Sequence, residues 1–133
     1  MESRMLLEDL NHVWPDKFVS VEEIFSHIHA GDRIFIGSGC GEPQHLVQSL
    51  VNYVRNHPKA FFDVELIHVW TLGIAPYTDE KFQDTFRLDS FFIGDSTRNA
   101  VNRGTADYTP DNHRDLFREI RSTIIFHLSS FCL

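Results

Sequence analysis

The sequence has little cysteine, no basic run and no long apolar stretch, and each lack removes a class of protein. Its two cysteines, Cys40 and Cys132, stand far apart without metal-ligand spacing, which fits a reducing compartment. Lysine and arginine number 12 against 19 aspartates and glutamates, a formal charge of -7. Binding to phosphate backbones needs a basic footprint, so nucleic acid is excluded as a partner. Nothing approaches the roughly 18 consecutive apolar residues of a membrane span. Residues Met1 to Leu10 carry Glu2, Glu8 and Asp9 around a very short apolar stretch, unlike a signal peptide. The resulting expectation is a cytoplasmic protein without membrane association.

What is present is one ordinary domain of 133 residues, 42% hydrophobic and 23% charged. Twelve phenylalanines are a heavy load for this length, and most are expected in the core. Ser20-Val21-Glu22-Glu23 is a capping box, followed by Val21, Ile24, Phe25 and Ile28 at helical spacing and by Gly31 as a left-handed stop. Arg33 to Ile36 reads as a buried strand that breaks into Gly37-Ser38-Gly39-Cys40-Gly41. Glu42-Pro43 opens a second helix, with Glu42 as its cap and Pro43 at the favoured first position; Leu46, Val47, Leu50, Val51 and Val54 form one apolar face. His57-Pro58 ends it.

Further on, Val64 to Thr71 reads as a second strand and Gly73 to Thr78 as loop. Phe86 to Ile93 holds a third extended run, Ser90 to Ile93, stopped by Gly94; Asp95 or Ser96 then caps a short helix that runs through Arg103. Asp107 to Pro110 reads as loop, Asp111 to Arg121 as helix and Ser122 to Leu128 as a fourth strand. Near-continuous apolar strands separated by helices point to βαβ units and a parallel sheet covered on both faces. An apolar ending soon after a strand, at Phe131-Cys132-Leu133, predicts the first part of something longer.

The glycine loop is the sharpest local feature. In open parallel sheets, ligands bind beyond the carboxyl ends of strands, where loops enter helices. Three glycines in five residues let backbone approach a ligand and expose N–H groups to it. A dinucleotide fingerprint would need glycine where Glu42 stands, and its carboxylate repels a pyrophosphate. A phosphate-cradling P-loop would need a Gly-Lys-Ser/Thr ending, and a nucleophile elbow needs glycine two residues either side of the nucleophile; neither is present. Spacing alone leaves a ligand site and a merely structural turn equally open.

Eight histidines have no metal-binding spacing, so satisfied or solvated histidines are expected and no metal site. His68 and Trp70 share one face of the second strand, where His68 could line a pocket. Arg87, Arg98 and Arg103 could hold a carboxylate or phosphate, although solvated helix faces more often account for single arginines.

Three stretches together resemble one family. IFIGSGCGEPQHLVQSL (Ile34 to Leu50), IHVWTLGIAPYTDEKF (Ile67 to Phe82) and FRLDSFFIGDSTRNAVNRGTADYTP (Phe86 to Pro110) are similar, in order and at plausible spacing, to the acetyl-CoA hydrolase/transferase family of acetate and 4-hydroxybutyrate type. The resemblance implies an α/β fold: a three-layer α/β/α open, mainly parallel sheet of the CoA-transferase type. Over residues 1–133 the chain would be an incomplete N-terminal half, divergent from the family over 111–133, where Asp111-Asn112-His113-Arg114 is polar.

The implied activity moves CoA between an acyl-CoA and a short carboxylic acid such as acetate. A glutamate attacks the thioester and becomes a glutamyl-CoA intermediate; hydrolase members let water finish the second half. Coenzyme A is a substrate and no other cofactor is implied. The family's nucleophilic glutamate lies in a second half, and none of Glu22, Glu23, Glu42, Glu65, Glu80 or Glu119 matches its motif, so no catalytic residue is assigned in this chain. The substrate-binding residues implied are Gly37, Ser38, Gly39, Cys40, Gly41, Glu42 and Pro43. The partners implied are the acyl-CoA and acid, together with a C-terminal half or a second copy. The rival reading is a non-catalytic α/β module that binds a small acid or a partner subunit; a nucleotide-binding module is a weaker third.

Overall fold

The computed structural model describes residues 12–110 and 126–128; within them helices separate the strands except between Val64–His68 and Phe86–Ser90, which are joined by a loop with two 3₁₀ turns. Ser20 opens α1 (Val21–Ser26), its hydroxyl accepting from the Glu23 N–H at 3.1 Å. The helix stops sooner than its spacing predicts, and Ile28 is buried from the turn that follows. Gly31 then takes the left-handed φ of +79° that leads into β1 (Arg33–Ile36). After the glycine loop comes α2 (Gln44–Asn56), then β2 (Val64–His68), β3 (Phe86–Ser90), α3 (Asp95–Asn102), β4 (Asp107–Tyr108) and β5 (Phe126–Leu128).

The five described strands form one sheet in the order β4-β3-β2-β1-β5, and every neighbouring pair is parallel. This is the α/β class read from the sequence. Register places Ile34 beside Leu66 and Leu66 beside Leu88, so one sheet face is a continuous apolar surface. Val47, Leu50 and Val51 of α2, Phe25 of α1 and Ala100 of α3 join it in a single core. Leu50 is fully buried there. Leu50→Ala leaves a cavity under α2 and is expected to cost about 3 kcal/mol, read as a lower urea midpoint.

The other face carries charge, which corrects the expectation of near-continuous apolar strands. Arg33, Glu65 and Arg87 lie side by side across β1, β2 and β3. Glu65 is ion-paired with Arg33, and Arg87 lies 3.7 Å from Glu65 and 2.5 Å from Asp63. Burial therefore alternates along β2 and β3, and this explains the misplacement of β3. Phe86, Leu88 and Ser90 point inward with Arg87 and Asp89 between them, whereas the Phe91-Phe92-Ile93 run lies just past the strand.

Three other expectations shift. β2 ends at His68 because the next two N–H groups, of Val69 and Trp70, leave the ladder and bond to the Ser38 hydroxyl. Asp107 and Tyr108 pair with Asp89 and Ser90 as a short strand instead of forming loop. Gly94, not Asp95 or Ser96, is the N-cap of α3; its N–H donates to the Thr97 hydroxyl at 3.2 Å. The helix expected over Asp111 to Arg121, and the start of the strand expected from Ser122, lie outside the described residues.

From β1 the chain steps outward through β2 and β3 to β4, yet β5 lies on the other side of β1. The strand order thus reverses at β1. In open α/β sheets such a reversal opens a crevice beyond the carboxyl ends of the flanking strands. The glycine loop leaves the carboxyl end of β1 at that point.

Candidate functional site

The glycine loop is built to stay still. Gly37 and Pro43 are buried, and Gly39–Gly41 form one 3₁₀ turn closed by the Glu42 N–H donating to the Gly39 carbonyl at 3.3 Å. The Ser38 hydroxyl accepts from the N–H groups of both Val69 and Trp70, each at 3.1 Å. Gly39 has φ of +62°, which an L-residue adopts only with strain, and a side chain placed there would meet nothing within 4 Å. Gly39 therefore faces open space.

Two expectations about this loop change. The N–H groups of Gly39, Gly41 and Glu42 close hydrogen bonds to Trp70, Ser38 and Gly39 carbonyls, so these three are not donors toward a ligand. What the loop presents at Gly39 is backbone without a side chain. Glu42, moreover, does not cap α2. That helix starts at Gln44 with Pro43 in the cap position, and Glu42 is extended at the end of the 3₁₀ turn. Its carboxylate instead accepts from the N–H groups of Leu72 and Gly73 at 3.1 and 3.0 Å.

The loop after β2 forms the neighbouring wall. Trp70, Leu72 and Ile74 are half exposed there, while Thr71 and Ala75 are buried. Gln44 holds it too, its carbonyl oxygen accepting from the Ile74 N–H at 3.0 Å. On the far side Gly94 packs so closely that a Cβ would lie 2.5 Å from the Thr71 carbonyl oxygen. A cleft of about 190 Å³ opens between these loops, bordered by Trp70, Leu72, Ile93 and Arg98. A larger hollow of about 270 Å³, by Gln83, Arg87, Gly104 and Asp107, lies along the β3–β4 edge away from the glycine loop.

Below the loops lies a polar cluster that sequence reasoning largely missed. His68 is fully buried, with Nδ1 2.9 Å from the Thr71 hydroxyl. Burial pushes its pKa down from 6.5 to about 4. Tyr77 is also buried; burial raises its pKa, the Thr71 hydroxyl opposes this, and the Glu42 carboxylate adds to it. His68 therefore does not line an open pocket; it supports the turn that carries the Trp70–Ile74 wall. The only signal in the sequence was a histidine at the end of a mostly apolar strand; Gln44, Thr71 and Tyr77 gave none.

His68 makes acid stability a test of this packing. In the unfolded chain it takes a proton below about pH 6.5, but in the folded protein only near pH 4. Its contribution is complete above pH 6.5 and is lost as pH falls toward 4, by about 3 kcal/mol across that window. Urea unfolding at pH 7, 5.5 and 4 should show that slope, and His68→Gln should flatten it. An unchanged slope in His68→Gln would mean that His68 takes its proton as readily in the fold as in the unfolded chain.

The three arginines considered as anion holders are each ion-paired. Arg98 lies 3.3 Å from Asp95, Arg103 3.9 Å from Glu80, and Arg87 pairs as described. Among the described residues, no three of histidine, cysteine, aspartate and glutamate gather at one point, and no helix is long and apolar enough to cross a membrane.

The fold is an open parallel α/β sheet whose glycine loop leaves β1 where the strand order reverses, the place at which such sheets commonly bind ligands. Comparison with known proteins places it more closely: residues 3–123 match the acetyl-CoA hydrolase/transferase N-terminal domain, and the chain belongs to that family. Over 98 residues, 74% of the chain, it is 37% identical to the 4-hydroxybutyrate coenzyme A transferase of Clostridium kluyveri, of which it covers 22%. It is 36% identical over 89 residues to a succinyl-CoA:acetate/propanoyl-CoA:succinate CoA transferase of Fasciola hepatica, 67% of this chain and 18% of that protein. The chain thus spans about a fifth of the length of these curated relatives. Among solved structures, RipA from Yersinia pestis shares the fold with a TM-score of 0.74 at 18% identity, over 91% of this chain and 30% of RipA.

Proposed function

We propose that this chain is the N-terminal domain of a CoA-transferase or acyl-CoA hydrolase, moving CoA between an acyl-CoA and a short carboxylic acid such as acetate. The observation that carries this reading is the glycine wall: Gly39, at positive φ beside open space, where the strand order reverses at β1. Family membership supports it, and both curated relatives carry CoA transferase in their names.

In this reading residues Gly37 to Pro43 bound the acyl or carboxylate pocket, and a second half supplies the nucleophile. Its glutamate carboxylate attacks the thioester carbonyl and expels CoA thiolate, leaving an acyl-glutamyl anhydride. The thiolate then attacks the glutamyl carbonyl of the anhydride, releasing the carboxylate and forming glutamyl-CoA. An incoming acid reverses these steps, whereas water would hydrolyse the thioester. A carboxylate is a modest nucleophile, so the rate depends on proximity and fixed geometry. At Gly39, backbone without a side chain lets the thioester approach closely with no rotamer that can shift there. The test is exchange of label between acetate and acetyl-CoA with the second half supplied. Exchange supports the reading. Its absence with acetate, propionate, succinate and 4-hydroxybutyrate alike favours a non-catalytic binding module.

A further inference from the structure

We propose that Glu42 and Gln44 are positioning residues whose side chains strap the Trp70–Ile74 loop to the glycine loop and fix the spacing of the two walls. The inference rests on the functional reading above for its kinetic arm only.

The amides after β2 carry the argument. Val69 and Trp70 donate to Ser38, Leu72 and Gly73 to Glu42, and Ile74 to Gln44. Five amides of one loop are thus held by three side chains, two from the segment between β1 and α2 and one from the first turn of α2. A loop beyond the end of a strand ordinarily bonds its backbone to water and is the first part of a fold to open. This one is tied along its length to the element that carries Gly39.

The ties differ in kind. Glu42 is 8% exposed and offers an acceptor on a charged group, so its two bonds are of the stronger, charge-assisted sort. Gln44 sits in the first turn of α2, and a Cβ on Gly73 would collide with its side-chain amide. A side chain at residue 73 would push the end of Gln44 aside, so glycine there lets Gln44 pack directly on the loop. A carboxylate in this place has no need to be a nucleophile; its oxygen Oε2 is already used by two amides.

Hydrogen exchange on the chain, followed residue by residue, tests the strap without reference to activity. Glu42→Ala should raise exchange at Leu72 and Gly73 by about tenfold or more, with Leu66 in the sheet unchanged, and Gln44→Ala should do so at Ile74. With the second half supplied, Glu42→Ala should lower kcat for acetyl-CoA:acetate exchange about tenfold with a smaller change in KM, and Glu42→Gln, which keeps a carbonyl acceptor, should recover most of the loss.

Unchanged exchange at residues 72 and 73 in Glu42→Ala would overturn the strap. Faster exchange with unaltered kcat would overturn its positioning role. Should Glu42→Ala unfold, the same comparison made on Glu42→Gln and Gln44→Ala decides. If the wild-type protein shows no transfer with any acid, the functional reading falls while the exchange data still judge the strap.

Discussion

Gly39→Val should lower kcat/KM about 10²-fold, measured with the second half supplied, while costing only about 1–2 kcal/mol of stability. The two effects have separate causes. The stability cost is backbone strain, since φ of +62° brings Cβ of an L-residue close to its own carbonyl and β-branching worsens the fit. The turnover loss is occupancy: nothing of the protein lies within 4 Å of a Cβ at residue 39, so the isopropyl group enters space assigned to substrate.

The fold provides its own controls. Gly31 and Gly104 have φ of +79° and +71° and equally open surroundings, but they sit before β1 and after α3, away from the carboxyl edge of the sheet. Gly31→Val and Gly104→Val should lower the urea midpoint as much as Gly39→Val does and leave kcat/KM unaltered. Equal activity in all three variants would remove the glycine loop from the site.

The second large effect is all-or-none. This chain alone, mixed with acetyl-CoA and labelled acetate, should show no exchange above background, and exchange should begin when the second half is added. Thioester attack needs a carboxylate held within about 3–3.5 Å of the carbonyl carbon. Of the described glutamates only Glu42 adjoins the glycine loop, and its Oε2 is held by two backbone N–H groups of the next loop. Mass spectrometry for a glutamyl-CoA adduct reads the result directly. An adduct on this chain alone, lost in Glu42→Gln, would make Glu42 the nucleophile and undo the assignment of that role to a second half.

Much of the fold was legible because local signals and burial agree. The Ser20 cap, strand Arg33–Ile36 and the apolar face Val47, Leu50, Val51 and Val54 stand where their spacing places them. The sequence misled where tertiary partners decide. Phe91-Phe92-Ile93 looks more strand-like than Phe86–Ser90, yet Arg87 and Asp89 are accommodated because the charged sheet face gives Arg87 a partner in Asp63. The site shows the same division. Its glycines could be found from composition, since glycine takes the positive φ at residue 39 without the strain another residue would carry. The use of Glu42 could not, because its hydrogen-bond partners lie 30 and 31 residues away on a loop without regular structure.

The strand order also has a consequence in time. β1 is paired on both edges only once β5 joins it, and the partner of Ile36 is Leu128, 92 residues later in the chain. At synthesis rates of about 5–20 residues per second, that separation is roughly 5–20 s. Throughout that interval β2 can guard one side of β1 while its other edge offers free amides and carbonyls to any extended chain nearby. The strand that carries the glycine loop is therefore among the first to be made and the last to be enclosed, so the nascent protein is most open to mispairing beside its own candidate site.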